Sequence, residues 1–199
     1  MTRATILLAS SNPGKIREIK ACFAGLPVRI LSFDSVHPQT FFPETAGTFR
    51  ENARGKSLFY SQYTAGFTLA EDSGLEIEHL GGAPGVLSAR FSGPEATDEK
   101  NIRKALRLLK GVPLPKRRAR FVSHLVLSRK GRIIKETRGE VSGFIALKKR
   151  GDSGFGYDPV FYYPPFRKTF AEIPADKKNA VSHRGRALRK MKEFLKDNL

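Results

Sequence analysis

The chain has 199 residues, with 36 basic and 19 acidic side chains and a formal net charge of +17. Its apolar and charged fractions, 40% and 28%, are typical of globular proteins, and no apolar run reaches the roughly 20 residues of a membrane helix. The single cysteine excludes an internal disulfide framework and a cysteine-based zinc site. We therefore expect a cytoplasmic protein with no signal peptide and no membrane association.

The positive charge is concentrated in the second half of the chain. Residues 1–100 hold 10 basic and 11 acidic side chains, whereas residues 101–199 hold 26 and 8. Such a field attracts phosphate, which is found in nucleic acids, membrane headgroups and free nucleotides. Charge alone does not choose among these partners, and a solubilising surface gives the same composition.

The first part of the chain predicts alternating strands and helices. An apolar run at residues 5–9 predicts a strand, helical spacing begins at Ile16, and residues 28–33 predict a second strand. A second helix is predicted over residues 48–63, with Thr48 as its N-cap. This order is typical of a sheet with crossover helices.

The middle of the chain contains a conspicuous acidic segment. Strands are predicted at residues 67–70 and 75–80, and the acidic residues 71–74 are predicted to form a turn between them. A basic amphipathic helix is predicted over residues 98–109. Because α/β proteins concentrate their sites at strand ends, the acidic turn is a candidate site.

The last part of the chain adds a hairpin, a loop and a helix. Strands at residues 118–128 and 132–141 flank Lys130-Gly131, which predicts a β-hairpin. A glycine-rich loop at residues 151–156 precedes a C-terminal helix. No repeat or low-complexity linker interrupts the sequence, so we expect a single domain over residues 1–199.

The segment SSNPGK at residues 10–15 is a candidate phosphate-binding loop. It lies between a predicted strand and helix, where backbone N–H groups, the positive helix end and Lys15 suit a phosphate. It is not a Walker A loop, because its first glycine is missing and Ile16 replaces the magnesium-binding Ser or Thr. A capped helix start with Pro13 in its first turn fits the same residues equally well.

Four carboxylates could form an oxygen-rich site for magnesium: Glu44, Glu51, Glu71 and Asp72. Mg²⁺ is usually bound by one or two carboxylates, with water and substrate phosphates completing its shell. The alternative is a solvated turn in which Asp72 is a local cap. Zinc hydrolase chemistry is not expected, because His37, His79, His124 and His183 form neither an HxxxH nor an HExxH pair.

Two segments carry residues suited to a nucleobase. FGYDP at residues 155–159 offers aromatic faces for stacking, and SHRG at residues 182–185, preceded by Lys177 and Lys178, offers polar groups for a base edge. Separately, these segments also fit a packed proline turn and a helix start on a basic surface. Together with the phosphate loop and the acidic segment, they predict a nucleotide site.

These segments closely resemble the inosine triphosphate pyrophosphatase family, which hydrolyses deaminated purine nucleoside triphosphates such as ITP, dITP and XTP. The matching segments, in the family's order, are SNPGK (11–15), ETAGTF (44–49), ENA (51–53), DSGL (72–75), GGAPG (81–85), SARFSG (88–93), GFGYDP (154–159) and SHRG (182–185). They extend from near the first residue almost to the last helix.

The resemblance implies an α/β fold: an elongated mixed β-sheet with flanking helices that forms two lobes around a central nucleotide-binding cleft. It also implies a homodimer that requires Mg²⁺. Glu44 and Asp72 are implied metal ligands, with Asp72 also the proton acceptor, and Glu71 is a further metal candidate. The residues implied in substrate binding are Ser10, Ser11, Asn12, Pro13, Gly14, Lys15, Lys56, Ser73, Phe155, Gly156, Tyr157, Asp158, Lys178, His183 and Arg184.

The sequence therefore predicts an Mg²⁺-dependent pyrophosphohydrolase that converts ITP, dITP and XTP to the nucleoside monophosphate and pyrophosphate. One alternative is a pyrophosphatase for other modified triphosphates, including pyrimidine nucleotides. Another is a basic nucleic-acid-binding protein. The aromatic residues argue against nucleic acid, because they cluster with carboxylates instead of interleaving along a basic stripe.

Overall fold

The computed structural model describes residues 3–36 and 41–199, and within them the chain forms seven strands and five α-helices. In chain order these elements are β1 (Ala4–Ala9), α1 (Pro13–Phe23), β2 (Val28–Leu31), α2 (Phe49–Tyr60), β3 (Phe67–Ile77), α3 (Asp98–Leu108), β4 (Arg118–Arg129), β5 (Arg132–Ile145), β6 (Phe161–Tyr163), β7 (Lys168–Thr169), α4 (Ala175–Val181) and α5 (His183–Asn198). None of the helices in this described part is long and apolar enough to cross a membrane.

The seven strands form one mixed sheet in the order β2-β1-β3-β4-β5-β6-β7. β1 pairs in parallel with β2 and with β3, whereas β6 pairs antiparallel with β5 and β7. Parallel pairing on one side and antiparallel pairing on the other confirm the mixed α/β sheet expected from the sequence.

The internal contacts of the chain separate it into two compact units. Unit 1 comprises Met1–Asp72, Ser123–Gly139 and Arg184–Leu199, and unit 2 comprises Ser73–Val122 and Glu140–His183. β3, β4 and β5 each contribute residues to both units. Three of the four unit boundaries thus fall within strands, and the fourth falls after His183, the first residue of α5. Neither unit is a single continuous stretch of chain.

Unit 1 has apolar side chains on both faces of its sheet. One face carries Ile6, Leu8 and Leu69, which pack with residues of α1 and α5 in one cluster. The other face carries Leu7 and Ala70, which pack with side chains that include Tyr60 of α2. The members contributed by α1 and α5 are Ile19, Phe23, Ala187, Leu188, Met191 and Leu195. Helices therefore cover both faces, and side chains of α1, α2 and α5 can reach residues of β3.

Unit 2 has one large apolar cluster. Leu75 of β3, Phe121 of β4 and Ile145 of β5 belong to it, together with Ile102 of α3 and Phe170. The ring centroids of Phe121 and Phe161 lie 4.6 Å apart, and those of Phe161 and Phe170 lie 4.8 Å apart. These aromatic contacts pack the chain after β5 against the sheet.

The acidic turn predicted at residues 71–74 is wrong, because residues 67–77 form the continuous strand β3. Glu71 and Asp72 are 1% and 5% exposed, and each has hydrogen-bond partners from other elements. Polar composition usually marks a turn because unpaired charges are not buried. Here the charges are paired, so the strand continues through them.

The predicted hairpin is confirmed in β4 and β5. Lys130 and Gly131 form its two-residue turn with φ of 48° and 72°, the left-handed conformation that type I′ turns require. The predicted helix over residues 48–63 is α2 followed by a 3₁₀ turn at Ser61–Tyr63. Its predicted N-cap is also correct, since Thr48 Oγ1 accepts a 3.1 Å hydrogen bond from the backbone N–H of Glu51.

Candidate active site

The register of β1 and β3 brings the phosphate-loop candidate beside the two buried carboxylates. Ala9, the last residue of β1, pairs with Ala70 of β3. The next residues along the two parallel strands are Ser10 on one and Glu71 and Asp72 on the other. The loop therefore lies at the carboxyl end of β1, where parallel α/β sheets commonly bind ligands.

The loop at residues 10–15 is a capped helix start. Asn12 Oδ1 accepts a 3.0 Å hydrogen bond from the backbone N–H of Lys15, and Pro13 occupies the first turn of α1. The pKa of the Lys15 ammonium is lowered, because the effect of burial exceeds the opposing effect of the negative charges of Glu71 and Asp72. The capped helix start is thus confirmed, and phosphate binding by this loop stays a prediction.

Asp72 lies on the face of β3 that α2 covers. Asn52 Nδ2 of α2 donates a 3.0 Å hydrogen bond to Asp72 Oδ2, and Lys56 Nζ pairs with the carboxylate of Glu44. Burial raises the pKa of Asp72, and the positive charges of Lys15 and Lys56 oppose that rise. Two carboxylates and two lysines therefore interact around α2 and the end of β1.

Glu71 lies on the opposite face of β3, because consecutive strand residues alternate. Its two carboxylate oxygens accept hydrogen bonds from Arg184 Nε at 2.8 and 2.9 Å, and Ser123 Oγ donates to it at 2.8 Å. Arg184 Nη1 also pairs with Glu18 of α1. Burial alone would raise the pKa of Glu71, but Arg184 and Lys15 hold it well below its ordinary value.

This geometry bears on two site candidates drawn from the sequence. Glu71 is a candidate metal ligand in the sequence, and Arg184 is a candidate for the base pocket. In the structure both are almost fully buried and are paired with each other. The carboxylate oxygens of Glu71 are engaged by Arg184 and Ser123, so the geometry favours a structural ion pair over a metal ligand.

Of the three other candidate carboxylates, Glu51 is exposed and accepts a hydrogen bond from Thr48, whereas Glu44 and Asp72 suit a magnesium ion. Mg²⁺ binds oxygen ligands and usually takes one or two carboxylates, leaving positions for substrate phosphates. Within the described residues, no group of three or more His, Cys, Asp or Glu side chains is arranged to hold a metal. His37 lies outside those residues. A two-carboxylate donor set therefore fits an ion whose shell the substrate completes.

In unit 2, Asp158 joins Phe155 and Lys178. Asp158 Oδ2 accepts hydrogen bonds from the backbone N–H of Phe155 at 2.9 Å and from Lys178 Nζ at 2.6 Å. Lys178 Nζ also lies 4.8 Å from the centroid of the Phe155 ring. A Cβ on Gly154 would lie 2.1 Å from Asp158 Oδ2, and φ there is +83°. This arrangement therefore requires glycine at residue 154.

Neighbouring residues anchor the same loop. Gly156 N–H donates a 2.6 Å hydrogen bond to Asp98 Oδ2, and Tyr157 Oη donates a 3.0 Å hydrogen bond to the Ser88 carbonyl. Burial raises the pKa of the Tyr157 hydroxyl, and Asp98 raises it further. Tyr157 thus lies in the core of unit 2, with its hydroxyl engaged by backbone.

The segment at residues 182–185 does begin a helix, α5, but it is buried and does not lie on a basic surface. His183 is 4% exposed and Arg184 is 2% exposed. The His183 ring stacks on Phe121, with centroids 4.6 Å apart and an angle of 11° between planes. The boundary between the units falls after His183, so the structure groups His183 with Phe155 and Lys178 in unit 2, and Arg184 with Glu71 in unit 1.

Sequence reasoning missed four residues that hold the candidate site residues in place. They are Glu18, Asn52, Asp98 and Ser123, which contact Arg184, Asp72, Gly156 and Glu71 respectively. Asn52 lies within a segment that matches the family, which was the one available signal. The other three are ordinary polar residues in amphipathic elements, and their contacts arise only when the chain is folded.

Known proteins resemble this chain over nearly its whole length. Residues 6–194 match the model of the Ham1 family. The chain belongs to this family. It is 44% identical to the dITP/XTP pyrophosphatase of Thermoanaerobacter pseudethanolicus, with 96% of each chain covered, and 40% identical to that of Bacillus subtilis, with 95% and 96% covered. The resemblance found in the sequence motifs is confirmed.

Solved structures of Ham1 proteins have the same fold. The Coxiella burnetii HAM1 protein superposes with a TM-score of 0.89 at 36% identity, covering 98% of this chain and 99% of its own. The Staphylococcus aureus Ham1 protein superposes with a TM-score of 0.87 at 38% identity, covering 98% and 100%. The α/β fold class predicted from the sequence is that of the family.

We predict that the Glu71–Arg184 pair makes stability depend on acid pH. The folded-state pKa of Glu71 is lowered, so its contribution is present above the unfolded value of about 4.3 and is lost as pH falls towards the folded value. Glu71→Gln should lower the free energy of unfolding at pH 7 by about 3–5 kcal/mol, because Arg184 loses a buried partner. Urea unfolding of both proteins from pH 7 to pH 2 measures this.

The matched control is Glu136→Gln, which removes a more exposed carboxylate of unit 1 that pairs with Arg50, Arg54 and His124 at the surface. Its cost should be no more than about 1 kcal/mol. If added Mg²⁺ stabilises the wild-type protein but not the Glu71→Gln protein, Glu71 is instead a metal ligand.

Proposed function

We propose that this protein hydrolyses nucleoside triphosphates to the monophosphate and pyrophosphate, with deaminated purine nucleotides, ITP, dITP and XTP, as its substrates. The observation that carries the proposal is a group of four charged side chains in unit 1. Two are carboxylates, Glu44 and Asp72, and two are ammoniums, Lys15 and Lys56. The relatives named dITP/XTP pyrophosphatase, 40–44% identical over nearly the whole chain, support the same activity. A phosphate-rich substrate and a divalent cation suit this mixture of charges.

Glu44 and Asp72 would hold the Mg²⁺ ion. When bound, the ion supplies positive charge that offsets the negative charge of the phosphates. The lysine ammoniums of Lys15 and Lys56 would bind the triphosphate. Lys56 pairs with Glu44, which supports a position for its charge beside the proposed metal ligand.

Asp72 would accept the proton of the attacking water. The water oxygen forms a bond to the α-phosphorus as the bond from that phosphorus to the bridging oxygen breaks, and pyrophosphate leaves with that oxygen. Burial raises the pKa of Asp72, which makes its carboxylate a stronger base than an exposed aspartate. The rest of the catalysis would come from positioning the substrate and from electrostatic stabilisation of the transition state, as is usual in phosphoryl transfer.

The loop and neighbouring residues would position the phosphates. Backbone groups at a helix N-terminus bind anions, and residues 10–14 supply that terminus at α1. The proposed phosphate-binding residues of this group are Ser10, Ser11, Asn12, Pro13 and Gly14, with Ser73 of β3 as a further contact.

In unit 2, Phe155 would stack on the base and Lys178 would donate to its edge. Hypoxanthine and xanthine carry an acceptor oxygen at C6, where adenine carries a donor amine. A site built around a donor to that oxygen discriminates by up to roughly 10⁴-fold, because the amine leaves the donor unpaired. Gly156, Asp158 and His183 would complete this pocket by holding Phe155 and Lys178 in place.

We further propose that residues 1–199 act as one catalytic domain and that the protein is a homodimer. The family model covers nearly the whole chain, which supports a single domain. Sedimentation velocity at micromolar concentration would test the dimer, since a monomer of 22.2 kDa and its dimer sediment well apart.

The substrate proposal predicts the outcome of a triphosphate panel. With Mg²⁺ present, kcat/KM for ITP and XTP should exceed that for ATP by at least about tenfold. A similar preference over GTP would have to arise at the 2-amino group of guanine, because guanine shares the C6 oxygen. Pyrophosphate release from ITP, XTP, GTP, ATP and dUTP measures the preference. A comparable rate with ATP would remove the basis of the base pocket, and a preference for dUTP would favour modified pyrimidine substrates.

Asp72→Asn should lower kcat by at least about 10²-fold, the lower range for loss of a general base. KM for ITP should change little, because Lys15, Lys56 and the pocket of unit 2 remain. Glu51→Gln is the control, since it removes an exposed carboxylate of the same unit that is bonded to Thr48. Near-normal turnover by Asp72→Asn would assign proton transfer to another group.

Phe155→Ala should mainly raise KM for ITP, because base stacking contributes roughly 1–3 kcal/mol and need not strengthen in the transition state. Phe166→Ala is the control, since Phe166 is 39% exposed and packs against Tyr163. Steady-state kinetics of both variants measure the effect. A large fall in kcat at unchanged KM would contradict a stacking role.

A further inference from the structure

Asn52 is a buried amide whose contacts are not explained by the folding of its own helix. It lies in the first turn of α2 and is 1% exposed. Its backbone N–H bonds to the Thr48 carbonyl, as expected for that turn. Its side chain points away from the backbone hydrogen bonds of the helix and contacts two separate segments of unit 1. It therefore stabilises the tertiary structure and not the helix itself.

Both the oxygen and the nitrogen of the Asn52 carboxamide form hydrogen bonds. Oδ1 accepts a 3.0 Å hydrogen bond from the backbone N–H of Ala46, and Nδ2 donates to the Ala46 carbonyl at 3.4 Å. Nδ2 also donates to Asp72 Oδ2 at 3.0 Å. A carboxylate could replace the acceptor but not the donor, and an apolar side chain could replace neither. The arrangement is therefore specific for an amide.

The Ala46 contact fixes the segment that carries Glu44. Two residues before Glu44, the backbone N–H of Phe42 donates a 2.9 Å hydrogen bond to Tyr60 Oη. The Phe42 ring lies over Gly55, where an added Cβ would come within 2.3 Å of the ring. α2 thus holds this segment on both sides of Glu44.

Three of the residues involved lie on one face of α2. Asn52, Lys56 and Tyr60 are spaced by four, so their side chains follow one stripe of the helix. Asn52 contacts Asp72, Lys56 contacts Glu44, and Tyr60 contacts the segment before Glu44. One helix face therefore sets the positions of both carboxylates.

We propose that Asn52 is a positioning residue that joins Asp72 to the Glu44 segment, so that the two carboxylates form one divalent-cation site. The proposal rests on the function proposed above for Glu44 and Asp72. It adds that the site depends on a residue that touches neither substrate nor metal. Partners behind a metal ligand typically contribute 10- to 100-fold in affinity or activity.

The test compares Asn52→Ala with Ser57→Ala. Ser57 is a matched control because it lies five residues further along α2, is fully buried and loses hydrogen bonds to Thr68, Val126 and Ser128 when truncated. Neither Asp72 nor Glu44 is among these partners. Three quantities are measured for each protein: Mn²⁺ affinity without substrate by calorimetry, kcat and KM for ITP, and the melting temperature.

Asn52→Ala should weaken Mn²⁺ binding and lower kcat, each by at least about tenfold, with KM for ITP little changed. Ser57→Ala should lower the melting temperature without either effect. If the two variants lose stability alike and retain equal Mn²⁺ affinity and kcat, Asn52 is only structural and the proposal is overturned.

Asn52→Asp keeps the size of the side chain and an acceptor for Ala46, and it removes the donor to Asp72. Its kcat should fall at least as far as that of Asn52→Ala, and wild-type turnover would overturn the proposal even if Asn52→Ala failed to fold. A wild-type protein that binds Mn²⁺ but releases no pyrophosphate from any triphosphate would overturn the proposed function. The Mn²⁺ affinities of the variants would still decide the role of Asn52.

Discussion

The organisation of unit 1 depends on two adjacent carboxylates buried in one continuous strand. Strand residues alternate between the faces of a sheet, so Glu71 and Asp72 enter different environments despite being neighbours. Glu71 meets Arg184 and Ser123, whereas Asp72 meets Asn52 and lies near Lys56. Glu71 is therefore part of a buried ion pair, whereas Asp72 is a carboxylate with a raised pKa.

The ion pair has consequences beyond its own two residues. Arg184 lies in the first turn of α5 and also pairs with Glu18 of α1, so one guanidinium ties both helices to β3. A buried charge is tolerated only when it is paired and hydrogen-bonded, and here two carboxylates and a serine satisfy that requirement. The loop at the start of α1 is therefore held close to Asp72 by contacts on the other face of the sheet.

Unit 2 uses a single carboxylate in a comparable way. Asp158 Oδ2 accepts from the Phe155 backbone and from Lys178, so it fixes an aromatic ring and an ammonium together. Charge-assisted hydrogen bonds of this kind are stronger than neutral ones. Asp158 thereby holds together two groups that we propose to contact a base, as Asn52 holds together two groups that we propose to contact a metal.

The sequence by itself determined the family, the alternating α/β plan, the β4–β5 hairpin, the capped start of α1 and the cap at Thr48. Short-range rules suffice for these features, because motif order, apolar periodicity and turn chemistry are local properties of the chain. It also identified the residues that the structure groups in unit 1, Lys15, Glu44, Lys56 and Asp72, and those in unit 2, Phe155, Asp158 and Lys178.

Only the tertiary structure decided that residues 71–74 are strand and that Arg184 pairs with Glu71. It also showed that Asn52 joins Asp72 to the Glu44 segment. These features depend on which distant side chain neutralises each buried polar group, and a carboxylate in the sequence looks the same whether its partner is water, a metal or an arginine 113 residues away.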